Sequence, residues 1–334
     1  MLDERKASIL RAVVQEYIET AQPVGSAHVT RSGRLNVSPA TVRNEMALLE
    51  RDGYLIHPHT SAGRVPTDKG YRFYVDHLRT PPGPLAPNQK RKVEEFFTKA
   101  HGELEQMLND TTRLLSNLTD YAALVMAPGH EGATIRSVQI VGLGPRVALL
   151  VAVLSNGAVL KEALELQDET GEERIAAASA HLAAQVVGTS LGGVVVVPAT
   201  GDETTDKVVA GAAEALDGAD DGEAEQVFVG GASRMVATFE AVDTVRHVLA
   251  TLEQQYVVVS LLRDALDHDK LVTIGAEHGL EPLAGCSIVV APYEVAGALA
   301  GTIGVLGPTR MNYSQAMAAV AAVSRRLGER LEEG

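Results

Sequence analysis

The sequence predicts an α+β protein of several domains. Helical periodicity dominates the amino-terminal part, and a proline-rich segment at residues 80–87 separates that part from the rest of the chain. Farther along, alternating apolar residues predict strands within residues 135–166 and 271–306, on either side of a mainly helical block. A chain of 334 residues with 46% hydrophobic side chains can bury more than one core.

Two helices are predicted before the clearest motif of the chain. Apolar residues recur at helical spacing from Ile9 to Ile18, and this first helix should end near Thr20. Pro23 and the residues after it then open a short second helix at residues 26–32.

The third helix has strong start and stop signals. Ser38 can cap its first free amides, Pro39 suits the first helical position, and Gly53 suits the end. The apolar stripe expected to face the core consists of Val42, Met46 and Leu49. The opposite side carries small or hydrogen-bonding residues, namely Ala40, Thr41, Arg43, Asn44, Ala47 and Arg51.

Such a face meets the needs of a helix that enters the major groove of DNA. Close approach requires short side chains, and Arg or Asn can read guanine or adenine edges. An ordinary amphipathic surface helix would show the same pattern, so the neighbouring segments decide. Residues 54–58 and 64–66 predict two strands joined by a polar, glycine-bearing loop at residues 59–63. Three helices and such a hairpin form a winged helix-turn-helix.

Residues 1–79 are therefore predicted to be a DNA-binding domain. Base contacts are expected from Arg43 and Asn44, and wing residues suit the phosphates or the minor groove. The full set of predicted DNA contacts is Ser38, Ala40, Thr41, Arg43, Asn44, Arg51, His59, Thr60, Ser61 and Arg64.

Charge is distributed unevenly along the chain. The formal net charge is −14, made up of +2 in residues 1–79 and −16 in the remainder. Non-specific attraction to DNA should therefore be modest, with phosphate contacts made locally. The cations predicted to make them are Arg43, Arg64, Lys69 and Arg72, although Lys69 and Arg72 could equally be solvated on a helix at residues 67–78.

The segment at residues 80–87 has four prolines and is predicted to be a semi-rigid linker. Heptad-like spacing from Val93 to Leu118 then predicts one long helix. Because Ala100 and Thr111 are weak seam residues, we expect this helix to pack on the following sheet, with a two-chain coiled coil as the alternative.

The remaining elements alternate between strands and helices. Strands are predicted at residues 135–143, 147–154, 159–166, 226–230, 271–275, 287–292 and 302–306, and helices at 172–187, 204–216, 239–253, 256–266 and 313–331. The order of sheet, helical block and sheet indicates an insertion near residues 167–269 into an α+β domain.

Residue patterns of catalysis or cofactor binding are missing from the sequence. It lacks the phosphate-loop, His-Glu-x-x-His and Gly-x-Ser-x-Gly motifs, so we expect no enzyme activity and no cofactor. His57 and His59 lack further metal ligands nearby. Cys286 lies in an apolar run and is predicted to be a small buried residue, with a reactive thiol as the alternative.

The location of the protein is also predicted from the sequence. The first residues carry charges of both signs without an apolar core, which predicts no secretory signal. The longest uncharged stretch, residues 175–201, contains His181, Gln185 and several glycines, so we expect no membrane span. The predicted location is the cytoplasm.

Two long motifs resemble the HrcA family of heat-inducible transcription repressors. The first comprises VSPATVRNEM at residues 37–46 and PHTSAGRVPT at residues 58–67. The second, GTIGVLGPTRMNY at residues 301–313, resembles the carboxy-terminal strand, turn and helix of the family, so the likeness spans the chain. His278 stands where the family usually has Asn.

The resemblance implies a domain plan and a function. A GAF-like antiparallel α/β domain, residues 88–166 and 270–334, would be interrupted by a mainly helical dimerisation domain at residues 167–269. The homodimer would bind double-stranded DNA at the inverted-repeat CIRCE operator and repress heat-shock chaperone operons until heat stress, with the chaperonin GroEL as a modulator. A two-fold symmetric protein requires a palindromic operator. The alternative is a GAF-type small-molecule-sensing transcription regulator, which rests on fold analogy alone.

Overall fold

The computed structural model describes residues 2–31, 37–58, 63–78, 83–99, 104–129, 133–191, 197–218, 226–236, 242–267 and 271–333. Helices in these ranges are α1 (Glu4–Thr20), α2 (Ser26–Arg31), α3 (Pro39–Arg51), α4 (Asp68–Asp76), α5 (Pro87–Lys99), α6 (Leu104–Thr119), α7 (Glu172–Val186), α8 (Glu203–Gly218), α9 (Ala232–Val236), α10 (Val242–Leu252), α11 (Gln255–Asp267) and α12 (Tyr313–Glu333). Strands are β1 (Leu55–Ile56), β2 (Val65–Pro66), β3 (Ala122–Met126), β4 (Ile135–Gly144), β5 (Val147–Leu154), β6 (Val159–Glu165), β7 (Val227–Gly230), β8 (Val272–Ile274), β9 (Cys286–Val295) and β10 (Ala298–Pro308).

The amino-terminal unit consists of three helices and a hairpin, as the sequence predicts. Helices α1 and α3 each bury one apolar stripe, and α1 ends at Thr20 with Ala21 in the left-handed conformation. Strands β1 and β2 pair antiparallel, and an isolated bridge adds Val24 opposite Arg64. The turn before α2 therefore joins the hairpin as a short third edge.

The single long helix predicted from Val93 to Leu118 is wrong. The structure has α5 and α6 there, and the side-chain amide of Gln89 near the start of α5 donates to the carbonyl of Leu118 near the end of α6 at 3.2 Å. One continuous helix would hold these two residues about 43 Å apart. The two helices therefore run antiparallel, and both pack against α12.

The central sheet has five strands in the order β7-β3-β10-β9-β8, and every pairing in it is antiparallel. Strand β3 was not predicted from the sequence. All five of its residues are buried, so it lacks the alternation of apolar and polar residues that marks a half-exposed strand. Helices α6 and α12 pack on one face of the sheet, and α11 packs on the opposite face, where a second hydrophobic cluster lies. Both faces of the sheet are thus covered.

A second sheet contains β4, β5 and β6 in a meander. Helix α7 packs on β4, and α8 packs on α7 and β6, so this sheet has its own hydrophobic core. The partition predicted at residues 167 and 269 does not match this arrangement. The meander groups with α7 and α8, whereas β7 and α11, predicted within the insertion, belong to the central sheet because β7 pairs with β3.

Within the described ranges, none of the helices combines the length and apolar character needed to cross a bilayer.

A tight turn follows β8, and His278 lies within it, half-buried. Its Nε2–H donates to the carbonyl of Leu283 at 2.9 Å, while Nδ1 accepts the amide of Leu280 at 3.2 Å. These bonds require the neutral ring. Burial lowers the pKa of His278 from 6.5, against smaller opposing contributions from carbonyl hydrogen bonds and from the charges of Asp68 and Glu277.

Acid should therefore destabilise the folded chain through this turn. The unfolded chain binds the His278 proton more readily, so the stabilisation is complete above pH 6.5 and is lost as the pH falls below that value towards the lowered folded pKa. The free energy of unfolding of wild type and His278→Asn, measured by denaturant titration from about pH 8 to about pH 5.5, should fall less steeply for the variant. Parallel curves would contradict this role for His278.

Candidate DNA-binding surface

The start of α3 is fixed by its sequence. The backbone of Ser38 is extended, with φ −71° and ψ 153°, and its hydroxyl accepts the amide of Thr41 at 3.1 Å. Pro39 occupies the first turn. The two hydroxyl groups of Ser38 and Thr41 also lie 2.9 Å apart. Both predicted contact residues therefore have a structural role at the amino-terminal end of α3.

The end of α3 is a glycine-dependent turn. Gly53 has a φ of +79°, its amide donates to Glu50, and the amide of Tyr54 donates to Leu49. This pair of bonds is the Schellman motif, which turns the chain directly into β1. The stop predicted at Gly53 is confirmed.

The outward face of α3 is as the periodicity predicts. Val42, Met46 and Leu49 are buried, and the residues exposed on the other side are Ala40, Arg43, Asn44, Ala47 and Arg51, with Thr41 half-buried. The side chains of Arg43 and Asn44 make no hydrogen bond or ion pair with any residue that the structure describes. The Arg51 side chain is 73% exposed and pairs only loosely, at 3.6 Å, with Asp52. As far as the described residues go, the side chains on this face are available to a ligand.

Arg64, by contrast, serves inside the domain. Its Nε and one terminal nitrogen each lie 2.9 Å from Oε2 of Glu50. The side chain of Arg64 is 18% exposed and that of Glu50 is 33% exposed. Its backbone exchanges two hydrogen bonds of 2.9 Å with Val24. A Cβ on Gly63 would stand 2.5 Å from the Val24 carbonyl, so only glycine allows this approach. The turn before α2, the end of α3 and the base of the wing thus meet at Arg64.

Glu50 is the functional residue that sequence reasoning missed. It lies fourteen positions from Arg64, beyond the three- and four-residue spacings that mark helical pairs. A carboxylate beside a DNA-facing surface requires a nearby cation to offset its repulsion of phosphate, and that requirement is the signal that could have found it.

The predicted phosphate contacts by Lys69 and Arg72 do not match their positions. The ammonium group of Lys69 donates to the carbonyl of Asp52 at 2.8 Å and lies 4.3 Å from the centre of the Tyr54 ring. The guanidinium of Arg72 pairs with Glu277, in the turn after β8. This hydrogen bond is the main cause that raises the pKa of Arg72 above its usual value, so the guanidinium stays charged. Free solvation of Arg72 is wrong as well.

Three predicted wing contacts, His59, Thr60 and Ser61, lie outside the described residues. They remain predictions. On either side of them, β1 and β2 pair antiparallel, and β1 contacts α3.

Two other kinds of site were considered from the sequence, a reactive thiol and a metal site. Cys286 is fully buried, and this burial raises the pKa of its thiol to about 12, so the prediction of a small buried residue is confirmed. Among the residues that the structure describes, no group of three metal-ligating side chains occurs.

Comparison with known proteins agrees with the motif evidence. Residues 105–317 match the family model described as HrcA protein C terminal domain. The chain belongs to the HrcA family. Relatives named heat-inducible transcription repressor HrcA include those of Nocardioides sp., 38% identical with 100% of each chain covered, and Acidothermus cellulolyticus, 39% identical with 100% of each covered. The relative in Moorella thermoacetica is 36% identical, with 99% of this chain and 98% of that one covered.

Family membership supports negative regulation of heat-shock transcription and does not favour the small-molecule-sensing alternative. The names of these relatives describe repression of transcription and not catalysis. A solved structure, described as the crystal structure of a hypothetical protein, matches 100% of this chain and 99% of its own with a TM-score of 0.67. At 23% identity that likeness concerns the fold alone.

The pairing of Glu50 with Arg64 should contribute measurably to stability. Replacing Glu50 with Ala leaves the half-buried guanidinium without its carboxylate, and we expect the free energy of unfolding to fall by about 1–2 kcal/mol. Denaturant titration measures this loss. The matched control is Glu95→Ala, which removes an exposed pair with Arg91 at 3.4 Å and should change stability by less than about 0.5 kcal/mol. Equal losses in the two variants would contradict the assigned role.

Proposed function

We propose that the chain represses transcription by placing the outward face of α3 in the major groove of operator DNA. One observation carries this proposal: Arg43 and Asn44 are exposed and unpaired within the described part of the chain, on a helix whose other face is buried. Helices α1 to α3 and the β1–β2 hairpin act together as a winged helix-turn-helix spanning residues 1–79. Ala40 and Ala47 allow close approach of the helix to base edges.

The remaining contacts are assigned from their positions around α3. Arg43 and Asn44 read bases, while Ser38, Thr41 and Arg51 lie where the phosphate backbone would pass the two ends of the helix. His59, Thr60 and Ser61 in the wing loop are proposed to contact phosphate or the minor groove. Arg64 contributes by holding the wing against α3 through Glu50.

Base reading by Arg43 predicts a change in specificity. Arg43→Ala should weaken operator binding by about 1–3 kcal/mol while binding to unrelated DNA weakens far less, because a bidentate base contact is lost. Competition binding on operator and scrambled duplexes measures both. Arg91→Ala on α5 is the charge-matched control. Uniform weakening on all DNA would show that Arg43 contacts phosphate only.

The operator is proposed to be the inverted repeat CIRCE, upstream of heat-shock chaperone operons, as the family resemblance implies. Repression until heat stress would follow from occupancy of that site. DNase protection of the chain's own chaperone promoter tests operator, symmetry and footprint together. A footprint without two-fold symmetry would contradict the proposal.

We propose that two copies associate through the outer face of the β4–β5–β6 sheet. The inner face is covered by α7, yet β5 is apolar on both faces, which is typical of a strand covered on both sides. Apolar residues that line the outer face are Val141, Val147, Leu149, Val151, Val153 and Val159. Lys161 and Glu165 lie on the same face, so a second copy can offer opposite charge to each.

This dimer surface predicts a dissociating substitution. Leu149 lies between Val141 and Ala163 on the neighbouring strands, and Leu149→Lys should shift the chain from dimer to monomer because the charge would be buried. Sedimentation equilibrium measures the shift, and circular dichroism checks folding. Leu299→Lys, at an exposed position of the central sheet, should leave the dimer intact. A folded Leu149→Lys dimer would exclude this face.

Further proposals follow from the resemblance. The central sheet with helices on both faces is assigned as a GAF-like domain, and residues 80–87 as the linker before it. The chaperonin GroEL is proposed to modulate the repressor, and purified GroEL should raise its operator occupancy. A regulator of transcription acts at the chromosome, so we place the chain in the cytoplasm.

A further inference from the structure

An ion pair links the amino-terminal unit to the central sheet. The Nε of Arg72 donates to Oε1 of Glu277 at 2.9 Å, and one terminal nitrogen donates both to Oε2 of the same carboxylate and to the carbonyl of Val272 at 2.7 Å. The other terminal nitrogen lies 3.4 Å from Asp76 on its own helix. This guanidinium on α4 is therefore fixed in direction as well as in position.

A second contact joins the same two segments. The carboxylate of Asp68, at the start of α4, accepts the amide of Ala276 at 3.2 Å. Gly275, with a φ of +55°, makes the approach possible, because a Cβ there would stand 2.2 Å from Oδ2 of Asp68. Glu277 is itself oriented by accepting the amide of Ile274 at 3.0 Å. The turn is shaped to receive α4.

Buried aromatic side chains fill the space beside these polar contacts. Tyr71 on α4 is 2% exposed, and its ring centre lies 6.0 Å from that of Tyr313 at the start of α12. The hydroxyl of Tyr313 donates to the carbonyl of Thr309 at 2.6 Å and lies 2.8 Å from the Ser287 hydroxyl. An apolar centre with fixed charges at its edge resists rotation better than a polar contact alone.

Hydrogen bonds connect the start of α4 directly to the end of α3. Thr67, the cap of α4, donates to the carbonyl of Gly53 at 2.7 Å, and Lys69 donates to that of Asp52 at 2.8 Å, both at the end of α3. A Cβ on Gly70 would lie 2.3 Å from the Tyr54 carbonyl, so the two segments are in close contact. Docking leaves Arg43 and Asn44 exposed, so the docked unit can still meet DNA.

We propose that Arg72 and Glu277 are positioning residues that set the half-site spacing at which the repressor binds. This inference rests on the proposed function of a symmetric dimer. In such a dimer each α3 reads one half-site, and the distance and angle between the two helices follow from how each DNA-binding unit sits on its core. The Arg72–Glu277 pair fixes that seating on the central sheet.

The test is a spacing series on the full-length repressor. Duplexes carry the two arms of the CIRCE repeat at the natural separation and at separations changed by up to about half a helical turn, roughly 5 base pairs. Wild type should lose at least about tenfold in affinity at half a turn, because both units can no longer bind the same face of the duplex. Arg72→Ala should lose less than about threefold, since its DNA-binding units are free to reorient.

Two further variants separate docking from charge and from folding. Gly275→Ala leaves every charge in place but forces Asp68 away, and it should flatten the spacing profile in the same way. Arg91→Ala removes an exposed cation on α5 and should keep the wild-type profile. Affinity for a duplex with a single arm should stay unchanged in all variants, which shows that the amino-terminal unit is folded.

The outcomes distinguish this inference from the proposed function. If wild type discriminates between spacings and Arg72→Ala discriminates equally, the positioning role is wrong while operator recognition stands. If Arg72→Ala binds more tightly at every spacing, the contact opposes DNA binding, and the proposal is overturned. If wild type binds neither the operator nor a single arm, the proposed function itself fails.

Discussion

The contact of α4 with the turn after β8 seats the amino-terminal unit, and with it α3, on the central sheet. The Arg72 guanidinium reaches a carboxylate and a backbone carbonyl two hundred residues farther along the chain. Two charged groups in a half-buried interface must meet with good geometry, because imperfect pairing would not compensate the free-energy cost of removing them from water. The same helix caps the carbonyls at the end of α3 through Thr67 and Lys69. Polar contacts made by α4 therefore connect the central sheet to the end of α3.

Most of the cations that the sequence predicts as phosphate contacts have partners within the protein. Arg64 holds the wing, Lys69 caps α3 and Arg72 holds the core, so three of the four predicted phosphate contacts have structural partners. Arg43 is the one left on the outward face of α3 without a partner in the described ranges. A unit with a net charge of only +2 on a core of −16 gains little from general attraction to DNA. Such a charge balance favours binding that depends on base contacts.

The two sheets show where pattern reasoning stops. Alternation correctly located β4, β5 and β6, and glycine-bearing turns located their ends. Alternation did not predict that these three strands form a sheet separate from the central one, because an antiparallel meander has the same local pattern in either sheet. Strand β7 was located too, yet its partner, β3, is buried along its length and gives no alternation. Sheet membership depends on pairings distant in sequence, which local periodicity does not encode.

The sequence by itself determined the local structure of the candidate DNA-binding surface. Ser38, Pro39 and Gly53 fix the ends of α3, and its 3.6-residue period decides that Arg43 and Asn44 face outward, because these are properties of neighbouring residues. Only the tertiary structure decided the partners of Arg64 and Arg72, the reversal between α5 and α6, and the strand order of the central sheet. Each of these depends on groups brought together from distant parts of the chain, and long-range contact geometry leaves no periodic mark on a sequence.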